Sequence, residues 1–195
     1  HIVSFEKADK LAKSGRSLKK RCTASNISWT PLNYTKKPPI LSTLKDLRLL
    51  ESKARELYAE HRFDLIHCRS YLTSLVAIKL KRSYSIPFIF DMRGFWADER
   101  VDGEIWNLKN PVYKSIYKYF KVRERSFLEE SDAVVSLTHA GKEELEKWFD
   151  SDPLFGGSEN YYNFDRVLAV REKTTVIPCA TALDHFDYKK VSADK

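Results

Sequence analysis

Apolar residues along this chain recur in two rhythms. Short runs rich in β-branched and aromatic residues, at 1–5, 27–32, 63–67, 87–92, 133–137 and 174–177, have the length and composition of strands. Between them lie longer stretches with apolar residues every three or four positions. Over 42–61, Leu44, Leu47, Leu50, Ala54 and Leu57 share a helical face opposite Lys45, Arg48 and Glu56, and Ser42 is placed to cap the start. A second helix is predicted over 71–82, buried through Leu72, Leu75, Val76 and Leu80. A third opens at Asn110-Pro111, cap residue then first-turn proline, and runs to about Glu130 with Val112, Ile116, Phe120 and Phe127 inward. A fourth starts after Thr138 and ends near Phe149. Residues 150–172, with Gly156-Gly157 and Tyr161-Tyr162, show no clear period and read as an insertion or a poorly ordered excursion.

Strand alternating with helix predicts an α/β fold, a Rossmann-like doubly wound, mostly parallel sheet with helices on both faces. Residues 1–178 read as one domain and 179–195 as a linker. Such sheets bind ligands beyond the carboxyl ends of their strands, so the residues following each strand are the candidates for chemistry.

Charge changes the picture in one place. Of the formal net charge of +7, the whole surplus falls in the first 60 residues, since Lys/Arg and Asp/Glu balance thereafter. That asymmetry suits an anionic partner such as a membrane leaflet, a phosphorylated ligand or nucleic acid, or else a solvated loop over 13–21. Nucleic acid is disfavoured, because no helix-turn-helix, zinc-finger or RNA-recognition pattern aims the basic residues at a groove. The longest apolar runs are far below the roughly 20 residues of a membrane span, and the N-terminus does not read as a signal peptide. Three scattered cysteines form no metal-binding or disulfide pattern and point to a reducing compartment, the cytoplasm.

The strand at 63–67 ends in His67 and is followed by Arg69 and Ser70. Arg69 there is a planar, permanently charged donor suited to phosphate or carboxylate, unless it pairs with an acidic neighbour such as Asp91 or Asp98. His67 is either a functional group or a satisfied, half-buried histidine. The strand at 87–92 carries Asp91 next to its last residue, Met92, and leads into Arg93-Gly94-Phe95-Trp96-Ala97-Asp98-Glu99-Arg100, where carboxylates sit beside two large aromatics. Carboxylates accept hydroxyl hydrogen bonds while aromatic faces cover the apolar side of a sugar; the alternative is a self-contained salt-bridge network. Thr138 follows the strand at 133–137 as a cap, and a helix N-terminus there is an anion site. With 6 glycines and no glycine-rich phosphate loop, an autonomous nucleotide-binding fold is disfavoured.

Several of these segments together resemble the N-terminal domain of the large retaining glycosyltransferase family usually numbered four, of GT-B fold. HIVSFEK is similar to that domain's second strand, Trp29-Thr30-Pro31-Leu32 to its third, FDLIHCRSY to a strand and loop written D-hydrophobic-hydrophobic-His-x-His/Arg, and FIFDMRGFWADE to the next strand and loop. AVVSLTHAGKEEL resembles the strand, hydroxyl residue and helix before the linker. The stretch from Val176 through Pro178, Cys179, Asp184 and Phe186 resembles the one that introduces the second domain, with Ala182 where an aspartate is usual.

The resemblance implies an enzyme transferring a hexosyl group from a nucleotide sugar to a glycan or lipid-linked acceptor in polysaccharide or glycolipid synthesis. This part would bind acceptor through His67, Arg69, Ser70, Asp91, Arg93, Gly94 and Thr138. It implies no metal and no cofactor beyond a donor held chiefly by a C-terminal domain, and inactivity without that domain. The basic first third, with Lys114, Tyr117, Lys118, Phe120 and Lys121 interleaving cations and aromatics further on, suggests peripheral contact with the inner face of an anionic membrane. The resemblance also implies a strand, glycine-rich loop and helix ahead of the segment HIVSFEK, the strand lying mid-sheet. A non-catalytic Rossmann-like module for a phosphorylated or nucleic-acid ligand is the rival reading.

Overall fold

A computed structural model describes residues 1–151 and 162–180. In chain order these hold β1 (Ile2–Glu6), α1 (Ala8–Ala24), β2 (Trp29–Asn33), α2 (Pro39–His61), β3 (Ile66–Arg69), α3 (Tyr71–Tyr84), β4 (Phe88–Asp91), α4 (Trp96–Asp102), α5 (Pro111–Glu130), β5 (Ala133–Ser136), α6 (His139–Ser151), α7 (Tyr162–Lys173) and β6 (Thr174–Val176). The architecture is α/β, with parallel strand pairs flanked by helices. The chain divides into two compact units, His1–Phe90 and Asp91 onward.

In the first unit β1 and β2 pair in parallel, Val3 opposite Thr30 and Phe5 opposite Leu32. Ile2 N donates to Ser28 O and Tyr34 N to Glu6 O. Alternate residues of a strand turn their backbone groups to opposite sides. Pro31 therefore falls on the outer side of β2, where its missing N–H costs the ladder nothing, and β2 is an edge strand. Side chains add a short relay, Trp29 Nε1 donating to Ser4 Oγ at 2.8 Å and Ser4 Oγ to Glu6 Oε1 at 2.7 Å. Beside β3, Ile66 N donates to Pro87 O at the start of β4.

Leu32, Leu50, Val76, Leu80 and Ile86 form the core of this unit, with Val3, Phe5, Ala54 and Ile66 against them. Burying each such side chain is worth about 1.5–3 kcal/mol. Glu51 on α2 accepts hydrogen bonds from Arg55 and from Lys79 on α3, clasping the two helices. The Lys79 ammonium chiefly holds the Glu51 carboxyl below its ordinary value.

Several expectations change here. Residues 13–21 are helical, not a loop: α1 carries Leu11, Gly15, Leu18 and Cys22 on one face and six basic residues elsewhere. Gly15 is its buried position, because a Cβ there would press on Leu11 Cδ1 at 2.9 Å. Helix α2 begins at Pro39, so Ser42 is a buried position inside it and not its cap, and Leu44 is exposed. The inward position belongs to Asp46, whose Oδ2 accepts from Thr35 N at 3.0 Å and pins the loop leaving β2. That backbone donor satisfies Oδ2, while Oδ1 is buried without a hydrogen-bond partner among the described residues.

In the second unit β5 and β6 pair in parallel, Val134 opposite Thr174. Helix α5 starts as expected, Asn110 Oδ1 accepting from Val112 N at 2.9 Å. Val112 is nevertheless 51% exposed, and the buried stripe runs through Phe120, Glu124, Phe127 and Leu128. Trp96 meets Phe120 edge-on, with ring centres 4.9 Å apart, and Trp106 at 5.3 Å. Lys173 Nζ donates to the carbonyls of Glu129 and Ser131, closing the carboxyl end of α5. Within 150–172, where no period was legible, Tyr162–Lys173 is a helix; Gly156, Gly157 and Tyr161 lie outside the described residues, as do 181–195.

Candidate functional site at the strand ends

Each unit presents the carboxyl end of a strand in its own way. In the first, β3 ends at Arg69 and turns into α3 through Ser70, whose φ of 74° and ψ of 177° lie where residues with a side chain are rarely found. Such a conformation costs on the order of 1–3 kcal/mol and persists only where the surroundings enforce it. Here Thr73 Oγ1 and Ser74 Oγ both donate to Ser70 O at 3.0 Å, fixing the turn. Arg69 is exposed, and among the described residues its guanidinium makes no hydrogen bond or ion pair. His67, on β3 itself, is exposed and lines a cavity of about 210 Å³ between β1, β3, α2 and α3. Cys68 beside it is buried, which pushes its thiol up to about 12 and makes it inert.

The second unit brings four of the expected residues to one rim. Met92 N donates to Val135 O at 3.1 Å and Ile177 N to Ser136 O at 2.9 Å, so the segments after β4 and β6 flank β5 on its two sides. Asp91, Arg93 and Gly94 follow on one side and Thr138 at the end of β5. Arg93 has φ 62° and Gly94 φ 144°. A Cβ built on Gly94 would overlap Glu99 Oε1, so only glycine allows both the dihedral and the carboxylate beside it. Arg93 Nη2 donates to Cys179 Sγ at 3.1 Å. Thr138 Oγ1 accepts from Gly141 N at 2.9 Å, the expected cap of α6, and Ser136 Oγ donates to Thr138 O.

Among the described residues, the six non-glycine positions with positive φ sort into two kinds. Asn26, Arg62, Ser85 and Glu104 follow helices, where a left-handed residue closes the last turn. Ser70 and Arg93 follow strands, and both are candidates from sequence. Backbone strain thus marks two of the three strand ends singled out from the sequence, those followed by Ser70 and Arg93, and not the one followed by Thr138.

Beyond Gly94 a second cavity, about 360 Å³, opens between α4, α5 and α6. Asp98, Glu99, Asp102 and Glu144 line it with Phe95 and Trp148, whose rings are 4.7 Å apart. The Asp98 oxygens are both engaged, Oδ1 by Tyr117 Oη at 2.7 Å and Oδ2 by Lys121 Nζ at 2.9 Å. The salt-bridge alternative for this loop is therefore realised in part, with the cation supplied by α5. Lys121 Nζ also lies 2.7 Å from Glu124 Oε2 and 3.9 Å from the Trp148 ring centre. Burial pushes Glu124 up to about 8 against the pull of that ammonium, because the carboxyl is fully enclosed.

Sequence reasoning missed Cys179 and Lys121 as neighbours of the rim, whereas Glu99 lay in the segment it singled out. Only Lys121 left a signal, its position one turn from Tyr117 and three residues before a glutamate on the buried stripe. Among the described residues no three His, Cys, Asp or Glu side chains are grouped to hold a metal ion.

Parallel strands, flanking helices and polar residues gathered past the strand ends define a Rossmann-like half of a GT-B fold. The model of the Glycosyl transferase 4-like domain matches residues 18–153, well over half the chain, and the chain belongs to that family. It is therefore a glycosyltransferase-type domain. No curated protein matches it. No described helix is long and apolar enough to cross a membrane.

Proposed function

We propose that this chain is the acceptor-binding, N-terminal part of a retaining hexosyltransferase that uses a nucleotide sugar to extend a glycan or lipid-linked acceptor in polysaccharide or glycolipid synthesis. The observation that carries the reading is the coincidence of strain and chemistry at the strand ends: Ser70 beside the exposed Arg69, and Arg93-Gly94 beside Asp91 and Thr138. His67, Arg69, Ser70, Asp91, Arg93, Gly94 and Thr138 are the residues we assign to acceptor. Arginines there suit a phosphorylated or carboxylated acceptor, and the carboxylates and rings past Gly94 suit sugar hydroxyls and C–H faces. The domain boundary near residue 178, and a donor nucleotide held chiefly by a second domain, belong to the same proposal. Without groups to stabilise the leaving phosphate this part is inactive alone.

Titration of the chain with UDP- and GDP-sugars tests the division of labour. Binding is expected to be weaker than millimolar; micromolar binding of either would overturn it.

Helix α1 supports a surface role for the basic first third. Lys10, Lys13, Arg16, Lys19, Lys20 and Arg21 are all exposed on it, against Asp9 alone. Docking on the anionic inner leaflet predicts co-sedimentation with anionic vesicles that weakens with salt. Absence of binding, or binding indifferent to salt, would count against it.

A further inference from the structure

Helix α2 is built inside out at its beginning. In its first turns the buried positions are polar, Ser42 and Asp46, while Leu41 is 65% and Leu44 48% exposed. Ile40 and Leu49 are exposed beside them, and so is Tyr34 in the loop that leads into the helix. At about 100° per residue, Ile40, Leu44, Arg48, Leu41, Lys45 and Leu49 follow one another around the half of the helix that faces away from the core positions Leu50 and Leu57. The reversal is local. Further along, the exposed positions are Ser52, Glu56, Ala59 and Glu60, as on an ordinary surface helix.

Charge is segregated along α2 in the same way. Lys36, Lys37, Lys45 and Arg48 are exposed among these apolar side chains. From Tyr34 to Leu50 the one carboxylate is that of Asp46, which is buried and accepts from Thr35 N. Glu51, Glu56 and Glu60 come only afterwards. Single apolar side chains on a surface are ordinary, but a group of them on one helix face, interleaved with cations and with no exposed anion, marks an interaction surface. A partner protein could cover the leucines, yet it would have to answer four cations one by one. An anionic leaflet answers both demands at once, since its phosphates meet the cations, whose aliphatic stems lie along the leucines, and its acyl region takes the leucines. Tyr34, apolar in its ring and polar at its tip, suits the boundary between the two.

We propose that the first three turns of α2, with the loop leading into them, insert shallowly into an anionic leaflet, Leu41 and Leu44 passing below the lipid phosphates and Lys36, Lys37, Lys45 and Arg48 bonding to them. The end of α2 that bears Glu56 and Glu60 stays in water, so the helix meets the leaflet by its beginning. This rests on the membrane reading given above for α1 and adds an inserting surface to it. Helix α1 attracts chiefly through charge, which salt screens, whereas inserted leucines hold against salt.

The test uses the whole chain and vesicles of phosphatidylcholine with one part in four of phosphatidylglycerol. Leu44→Cys carries an environment-sensitive fluorophore, in a background of Cys22→Ser and Cys179→Ser, with Cys68 protected by its burial. The expected result is a blue shift of the emission on adding vesicles, with quenching by nitroxide-bearing lipids, while the same label at Ser52→Cys remains in water. Leu41→Ser together with Leu44→Ser should weaken vesicle binding roughly tenfold at both low and high salt, without lowering the melting temperature, because both side chains are exposed in the free chain. Lys45→Gln together with Arg48→Gln should weaken it roughly tenfold at low salt and little at high salt.

A label at Leu44 that stays in water while the chain binds vesicles would overturn the proposal, as would undiminished binding by the two serine substitutions. If that binding is lost with Lys13→Gln, Arg16→Gln and Lys19→Gln, the reading of α1 stands without the inserting surface. Absence of all vesicle binding overturns both. Equal binding to vesicles of phosphatidylcholine alone would overturn the anionic leaflet as the partner. Self-association that rises with protein concentration in the absence of lipid, and disappears with the two serines, would assign the face to a second copy and overturn the proposal too. If the chain with both serines fails to fold by circular dichroism, the labels at Leu44 and Ser52 decide.

Discussion

The two strand ends solve the same geometric problem with opposite consequences. At the end of β3 the strain sits in Ser70 and is held by hydroxyls of the following helix, which leaves the neighbouring Arg69 guanidinium exposed. At the end of β4 it sits in Arg93 and Gly94, and the side chains around it interlock: Glu99 against Gly94, Arg93 on Cys179, Lys121 on Asp98 and Glu124. The cavities follow suit, since that of the first unit is walled by aliphatic side chains and that of the second by carboxylates and rings. A turn stabilised from behind leaves its outward side chains available to a ligand. A turn stabilised by its own side chains gives up part of that availability for rigidity, and a ligand there must exchange hydrogen bonds and not merely gain them.

The contrast breaks most sharply at Gly94. Gly94→Ala is expected to cost about 3 kcal/mol, through the positive φ and the overlap with Glu99. Urea denaturation measures it, and a loss below about 1 kcal/mol would mean that the turn is not locked. Glu99→Ala in the same background should recover only the steric part, leaving the dihedral cost.

Next in size is a pH effect. The folded Glu124 carboxyl titrates near 8, above its ordinary 4.5, so the folded chain retains a proton that the unfolded chain loses between those values. Stability is therefore lost as pH rises from about 4.5 toward 8. Glu124→Gln should remove this slope, gaining about 2 kcal/mol relative to the parent between pH 5 and pH 8.5, with Lys121 limiting the gain. Parallel urea curves for the two proteins across that range would show the burial cost to be cancelled by the ion pair.

Thr138→Ala removes the cap of α6 and should cost about 1 kcal/mol, read as a lower thermal midpoint. The smallest effect on stability is expected from Arg69→Ala, within about 0.5 kcal/mol, because an exposed residue without a partner holds nothing together. Acceptor binding by the full enzyme should nonetheless fall roughly tenfold, the worth of a charge-assisted hydrogen bond. A stability loss above 1 kcal/mol for Arg69→Ala would erase the difference between the two strand ends.

Much of this was legible in the chain. All six strands among the described residues fall within a few residues of the apolar runs, because strand length and β-branched content are local properties. The caps at Asn110 and Thr138 were readable too, since a cap needs only its own side chain and the next turn. Helix α1 was not, because its apolar stripe includes a glycine and its remaining face is dense with charge. Asp46 and Glu124 were hidden for a related reason: a carboxylate on an inward face looks like a surface residue until its partner, Thr35 N or Lys121, is brought to it from elsewhere.

What the sequence determined alone is the order of the described strands and of the helices α2, α3, α5 and α6 between them, the polar residues that follow the strands, and the basic character of the first third, all set by neighbours a few positions apart. The tertiary structure alone decided which of those polar residues are engaged and which are open, that Cys179 comes to Arg93, and that the Glu124 carboxyl is fully enclosed beside Lys121. Each of these depends on contacts between residues far apart in the chain, and no local pattern encodes the distance between them.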